Sequence, residues 1–290
     1  MPRIPHSVAT DLLSILTTLS ARWPVPPVHQ LHIPRLKDPC DEHGAKFCAI
    51  ELADGSFGLS YIQLGNTLRE LLAAHAPGGG LPLAQADPLA LAARLGDGNP
   101  VQRAVALAAA NALTDSVWRR VGYEPPAAGN SLGDVVLGPH DHLGMIGFFP
   151  PLVQRVTEAG GQLSVVEMDA DMVVRQRKRF PQLHIGVDRA LLADCNTVVG
   201  TSTMLLNDTL DDMLAAAPRA ERFAVIGPSA GVWPDPLFSR GVTLMGGTRV
   251  TDGAALAAAM AAGESWGHAT RKFAIDRAHW PGWATLAGPC

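Results

Sequence analysis

The chain has 290 residues, enough for two domains of ordinary size, and 47% of them are hydrophobic, enough to fill a sizeable core. Its 23 basic and 27 acidic residues leave a net charge of −4, which argues against a nucleic-acid binder, since that would carry a basic face. No apolar run approaches the ~20 residues of a membrane span, and the first helical stretch is amphipathic rather than a signal peptide, so the expectation is a cytoplasmic protein with no membrane partner.

Ser7 suits the cap of a first helix whose apolar face is Val8, Leu12, Ile15, Leu16 and Leu19. Pro24, Pro26 and Pro27 end it, and Val28 to Ile33 reads as a strand. On that strand His29 and His32, three apart, point to opposite faces. Asp38-Pro-Cys40-Asp41-Glu42-His43 holds metal-ligand types without a standard spacing and reads as a solvated turn. Lys46 to Leu52 and Ser56 to Ile62 flank Asp54-Gly55, a strong hairpin signal. Thr67-Leu-Arg-Glu70 has the pattern of a capping box. Asp87-Pro88 and Asn99-Pro100 each read as a cap followed by a first-turn proline. The second of these opens a long Ala-rich helix to about Trp118. Residues 1–125 are therefore expected to form a smaller α+β domain.

Gly122 to Ser131, with Pro125-Pro126, is the best linker in the chain. A strand–glycine loop–helix–strand–acid unit follows. Asp134 to Leu137 is an apolar run expected as a strand, and Gly144 and Gly147 bracket a tight loop. Pro150-Pro151 opens a helix with Leu152, Val153 and Val156 on its apolar face, and Gly160-Gly161 stops it. Leu163 to Val166 is a second strand, with Glu167 at its carboxyl end, 167 − 144 = 23 residues after the first glycine. This is the outline of a dinucleotide-type βαβ fold, although Gly-x-x-Gly-x-x-Pro is not the full Gly-x-Gly-x-x-Gly signature.

Asp171 to Phe180 reads as a helix, its Arg175, Arg177, Lys178 and Arg179 forming a solvated end. Cys195 to Gly200, Phe223 to Gly227 and Val242 to Met245 are further strand signals, and Asp208 and Asp252 can cap the helices after the first and third. The expected fold over residues 130–275 is a Rossmann-like, mostly parallel sheet with helices on both faces, followed by a tail over 276–290. Four loops, Gly138 to Gly144, Gly200 to Thr209, Gly227 to Gly231 and Gly246 to Thr248, then gather along one edge rich in glycine, hydroxyls and backbone N–H groups.

That edge suits a small polar ligand, with Gly144, Gly147, Glu167, Thr201, Ser202, Asn207 and Ser229 as the expected contacts. His140 and His142, two apart in extended chain, point the same way and are candidates for a divalent transition metal, with Glu167, Asp141 or a ligand completing the shell. Cys195, at the opposite end of the sheet, reads as a small buried hydrophobe, and none of the four cysteines forms a Cys-x-x-Cys pair. Gly227-Pro-Ser229-Ala-Gly231 has the Gly-x-Ser-x-Gly spacing but is not read as a nucleophile elbow, so no hydrolase triad is expected, and there is no Walker loop. Trp233, Pro234, Pro236 and Phe238 make an apolar loop that either covers the cleft or meets a second subunit, which leaves a homo-oligomer open.

Gly144-Met-Ile-Gly147-Phe-Phe-Pro150, Val165-Val-Glu167, Gly200-Thr-Ser-Thr-Met-Leu-Leu-Asn207-Asp-Thr209, Ile226-Gly-Pro-Ser229 and Gly246-Gly247 together resemble the family described as "putative heavy-metal chelation". The hairpin at Asp54-Gly55 and the stretch Asn99-Pro-Val-Gln-Arg-Ala resemble that family's companion N-terminal domain. The resemblance implies a Rossmann-like second domain, a first domain similar to the small domain of enolases, and a cleft between them. Two functions follow as expectations. One is a binding protein for a heavy-metal ion or metal–chelator complex. The alternative is an enzyme using an adenine-containing cofactor, a nucleotide or methyl donor, with Glu167 on its ribose.

Overall fold

The hairpin expected at Asp54-Gly55 forms part of a three-stranded antiparallel sheet. The computed structural model describes residues 6–36, 46–76, 83–130, 141–158 and 160–288. Strand β1 (Val28–His32) pairs with β2 (Phe47–Leu52), and β2 pairs with β3 (Phe57–Tyr61). Four helices accompany the sheet: α1 (Val8–Arg22), α2 (Thr67–His75), α3 (Pro88–Ala92) and α4 (Pro100–Arg120). The side chain of Ser7 caps α1 by accepting from the Thr10 N–H, and Asn99 and Gln102 close a full capping box on α4. The box expected at Thr67 does not form. Thr67 already lies inside α2, and its hydroxyl donates back to the Leu64 carbonyl at 2.6 Å, so it cannot serve as a cap.

Every residue of α4 from Ala104 to Ser116 is buried. An alanine-rich helix has no bulky face, so neighbours can approach its backbone from several sides. Gly58 of β3 uses this: a β-carbon there would collide with Ala108 O and Ala112 N of the α4 backbone.

The second sheet has seven strands: β4 (His142–Ile146), β5 (Gln162–Val166), β6 (His184–Gly186), β7 (Thr197–Thr201), β8 (Arg222–Ile226), β9 (Leu244–Val250) and β10 (Thr270–Asp276). Their order is β6-β5-β4-β7-β8-β9-β10. All neighbours are parallel except β9 and β10. Helices α5 (Pro150–Glu158), α6 (Ala170–Arg179), α7 (Leu210–Ala216), α8 (Asp235–Phe238) and α9 (Gly253–Ala262) connect the strands, and α10 (Trp283–Ala287) follows β10. This is a doubly wound sheet whose strand order reverses between β4 and β7. In such sheets ligands bind beyond the carboxyl ends of the strands at the reversal.

Several expectations shift in register. The run Asp134 to Leu137 lies outside the described residues. The strand that pairs with β5 and β7 is His142–Ile146, so Gly144 sits in mid-strand rather than opening a loop. A β-carbon at Gly144 would come within 2.8 Å of Leu192 Cδ2 and 3.1 Å of both Cys195 Sγ and Val198 Cγ2, so this glycine makes room for packing. The fourth expected loop, Gly246 to Thr248, is the middle of β9 and pairs with β10. Asp208 has a φ of 56° and Thr209 takes the N-cap of α7. The apolar segment at Trp233 neither covers a cleft nor stands exposed: Trp233 is 0% and Phe238 7% accessible, with Trp233 packed against Trp118 and Trp280. Residues after 276 fold back, with Asp235 accepting from Trp280 Nε1 and the Trp283 N–H.

One hydrophobic core runs through both sheets, from Val8 and Ile50 through α4 to Trp233, Phe273 and Ala287. Polar contacts reinforce the junction. Asn111 Nδ2 donates to Leu59 O of one sheet and to Ser229 O beside the other. Asp115 accepts from Arg249 Nε of β9 at 2.7 Å and from the Phe57 N–H of β3 at 3.2 Å. Among the described residues, no helix is long and apolar enough to cross a membrane.

Candidate functional site

The rim at the carboxyl ends of β4, β5 and β7 faces the end of β3. Gly147 follows β4 with a φ of 80°, a left-handed turn that favours glycine. Its N–H donates to Val166 O at 2.9 Å, and a β-carbon on it would touch Thr201 Cγ2 of β7 at 3.2 Å. The turn therefore bridges the reversal point between β4 and β7.

Glu167 is fixed at the end of β5 by its own N–H, which donates to Gly186 O at 2.9 Å. Its Oε2 also accepts from the Met168 N–H at 3.2 Å. Burial pushes this carboxyl above the usual range; the Met168 and Phe148 amides pull against burial, and Asp169 adds to it. The folded state thus holds the Glu167 proton more tightly than the unfolded chain does. Its contribution to stability is full below the ordinary carboxylate range and is lost as pH rises through the folded value. Glu167→Gln is therefore expected to gain stability relative to the parent as pH is raised from acid to neutrality. Thermal unfolding of both proteins across that range checks this, and parallel curves would refute it.

On the other side of the reversal, Thr201 Oγ1 accepts from the Thr203 N–H at 3.3 Å and its hydroxyl at 3.2 Å. Asn207 Oδ1 accepts from the Thr209 hydroxyl at 2.7 Å, while its Nδ2 reaches Met168 Sδ at 3.0 Å. That last contact joins the loops after β5 and β7 across the end of β4. The structure so brings Gly147, Glu167, Thr201 and Asn207 together.

Two more expected contacts lie on the same edge but are used for packing. Ser202 is 2% accessible and fits beneath Gly227. Ser229 is 0% accessible, and its Oγ accepts from the Tyr61 N–H at 2.9 Å. Gly144 is inside the sheet, as above. His140 lies outside the described residues. His142 opens β4, so it stands at the opposite end from Glu167, about 13 Å of strand away. Its Nε2 bonds the Ser164 hydroxyl at 2.9 Å, and Asp141 pairs with Arg222. The placement of His142 on the ligand rim is thus not what the strand register gives. Nearby, the buried Cys195 thiol donates to Leu191 O at 3.5 Å, and burial pushes it up to about 11.

Residues absent from the sequence-based list also border the rim. Met168, 64% accessible, presents its thioether beside Glu167. Tyr61, at the end of β3, lies within electrostatic reach of Glu167: burial, and then the Glu167 charge, hold its phenol above the usual range. No local signal marks Tyr61, which is 167 − 61 = 106 residues from its neighbour.

The donor set near Glu167 is thus one carboxylate with hydroxyl, amide and thioether groups. Among the described residues, no group of three or more His, Cys, Asp or Glu side chains gathers as a metal centre. Such a set of oxygen, amide and thioether donors suits a cation that keeps ligands of its own.

Comparison with known proteins agrees with this architecture. The DUF364 family model, described as "putative heavy-metal chelation", matches residues 132–278. The DUF4213 model, with the same description, matches residues 43–114. A crystal structure of a DUF364 protein of unknown function from Pyrococcus horikoshii superposes with a TM-score of 0.68 at 16% identity, covering 93% of this chain and 99% of that one. A DUF364 protein of unknown function from Desulfitobacterium hafniense DCB-2 gives 0.66 at 20% identity, covering 92% and 99%. At these identities the likeness speaks for the fold. None of the curated proteins matches the chain. The matched segment, 132–278, is half of the chain, and on that ground the chain belongs to the DUF364 family, described as "putative heavy-metal chelation".

Proposed function

We propose that this protein binds a small polar ligand, a heavy-metal ion arriving as a metal–chelator complex, at the rim formed by Gly147, Glu167, Thr201 and Asn207. The observation that carries this reading is the half-buried Glu167 carboxyl at the reversal point of a doubly wound sheet. A carboxylate withheld from water recovers its desolvation by meeting positive charge. The family description points to the same chemistry. The described cysteines, Cys48 and Cys195, are free thiols, which suits a reducing, cytoplasmic setting.

Glu167 at the end of the second parallel strand also favours a second reading, an enzyme whose adenine-containing cofactor places its ribose there. Against it, the loop reads Gly-x-x-Gly-x-x-Pro rather than the Gly-x-Gly-x-x-Gly of dinucleotide sites. Calorimetric titration separates the two readings, using zinc, cobalt and cadmium, each free and as a citrate complex, beside adenine nucleotides. The expected result is saturable metal binding that weakens at least about tenfold in Glu167→Gln. Binding of nucleotides alone, or metal binding indifferent to Glu167→Gln, would overturn the proposal.

A further inference from the structure

The three-stranded sheet has a cavity of its own. It holds about 650 Å³ between the end of β1, the last turn of α2 and α9, a volume within the range of small-molecule sites. The sequence of α9 keeps it open. Ala257, Ala258 and Ala261 lie on the cavity side of that helix, and their short side chains leave the space unfilled. The chain beyond β1 is pinned to the same helix, where the Arg35 N–H donates to Met260 O at 2.9 Å. Leu31, Ile33, Leu72 and Met260 complete an apolar wall.

The ionisable groups in the lining share one sign. His32 is the most deeply set of them. Its side chain is 7% accessible, its ring stacks on Phe57 at 5.9 Å, and its Nε2 meets Glu51 Oε2 at 2.8 Å. Its Nδ1 bonds to no described residue. Arg35 and His75, both exposed, line the cavity as well, and neither side chain has a hydrogen bond or ion pair among the described residues. No Asp or Glu among the described residues lines it, and the Glu51 carboxylate is bonded to His32. Asp38, Asp41 and Glu42 lie outside the described residues. The last turns of α2 and α9 reach this cavity, but carbonyls there are already engaged. Leu72 O accepts from the Ala76 N–H, and Met260 O accepts from the Arg35 and Gly263 N–H groups.

We infer that this cavity is a second binding site, and that it takes a small organic anion with an apolar body. The acidic head meets the Arg35 guanidinium and the Nδ1–H of a His32 ring charged against Glu51, and the hydrocarbon lies along the alanines of α9. Carboxylate and phosphate heads share this chemistry. None of Gly147, Glu167, Thr201 and Asn207 lines the cavity, so the inference is independent of the rim.

The test uses the full chain with ¹³C-labelled methionine methyl groups and three titrants: decanoate, decyl phosphate and, as the cationic counterpart, decylamine. Calorimetry gives the affinity. The Met260 methyl signal, assigned with Met260→Leu, gives the place, and Met168 serves as the reference on the rim. Saturable binding of at least one acid is expected, with a shift at Met260 and none at Met168. The acid that binds more tightly identifies the head group. Affinity should fall about tenfold in Arg35→Gln. It should fall at least as far in Ala258→Leu, whose longer side chain occupies the cavity. Both positions are exposed, so neither variant disturbs the core. No saturable binding of either acid to the parent, a Met260 signal that stays in place, or an affinity unchanged in either variant overturns the inference. Decylamine binding as tightly as the acids overturns the sign of charge. A Met260 shift that follows protein concentration without any titrant shows that a second copy fills the cavity, and this also overturns the inference.

Discussion

Asp115→Ala is expected to lower stability by about 3–5 kcal/mol, the usual cost of removing one partner of a buried ion pair. Asp115 and Arg249 are 5% and 9% accessible, and their contact at 2.7 Å joins α4 to β9. The same carboxylate accepts from the Phe57 N–H of β3 and approaches Arg119 Nε at 3.3 Å. Deleting it leaves the Arg249 guanidinium desolvated with only Glu124, which is 69% exposed, at 2.6 Å. It also leaves a buried amide without its acceptor. Asp115→Asn, which keeps one acceptor oxygen and loses the charge, should fall between the alanine variant and the parent. Guanidinium unfolding measures all three; a midpoint for Asp115→Ala equal to the parent's would show that the pair contributes nothing net.

Gly58→Ala should be comparably severe, costing about 3 kcal/mol or more, through the opposite mechanism of overpacking. The added methyl would point into Ala108 O and Ala112 N, which are backbone atoms of the buried Ala104–Ser116 stretch of α4, and would stand 2.8 Å from Asn111 C. Neither a rotamer change nor a small shift of a side chain relieves this. Gly96→Ala is the matched control, because its β-carbon would meet only Ala9 Cβ at 3.6 Å, an ordinary contact. The expected outcome is a large fall in Tm for Gly58→Ala and little change for Gly96→Ala. Equal effects would mean that β3 and α4 can separate at low cost.

What was legible in the sequence was local chemistry. Ser7, Asp87, Asn99 and Asp252 each cap the helix that follows, because a short polar side chain can reach back to free N–H groups within three residues. Asp54-Gly55 and Pro150 likewise turn and start the chain where expected. What misled was the interior of the parallel sheet. A strand buried on both faces has no alternation to set its limits, so glycines inside β4 and β9 read as loops. Once β4 begins at His142, that histidine passes to the far end of the sheet and Gly144 leaves the rim. Four of the seven expected contacts, Gly147, Glu167, Thr201 and Asn207, lie on one rim, because the carboxyl ends of β5 and β7 were placed to within one residue. Tyr61 escaped because its partner comes from another sheet, and nothing within its own hairpin encodes that meeting.

The segment joining the two sheets is itself part of the ladder. Ala127 bridges Phe273, the Ala128 N–H donates to Lys272 O, and the Ala274 N–H donates to Pro126 O, so residues 126–128 seal the outer side of β10. The family model for the first half stops at residue 114, inside α4 and one residue short of Asp115. A chain cut at such a boundary would split α4 and leave a raw strand edge on the second fragment. The two matched segments share one continuous core and one covered strand edge, so a cut between them is expected to cost solubility.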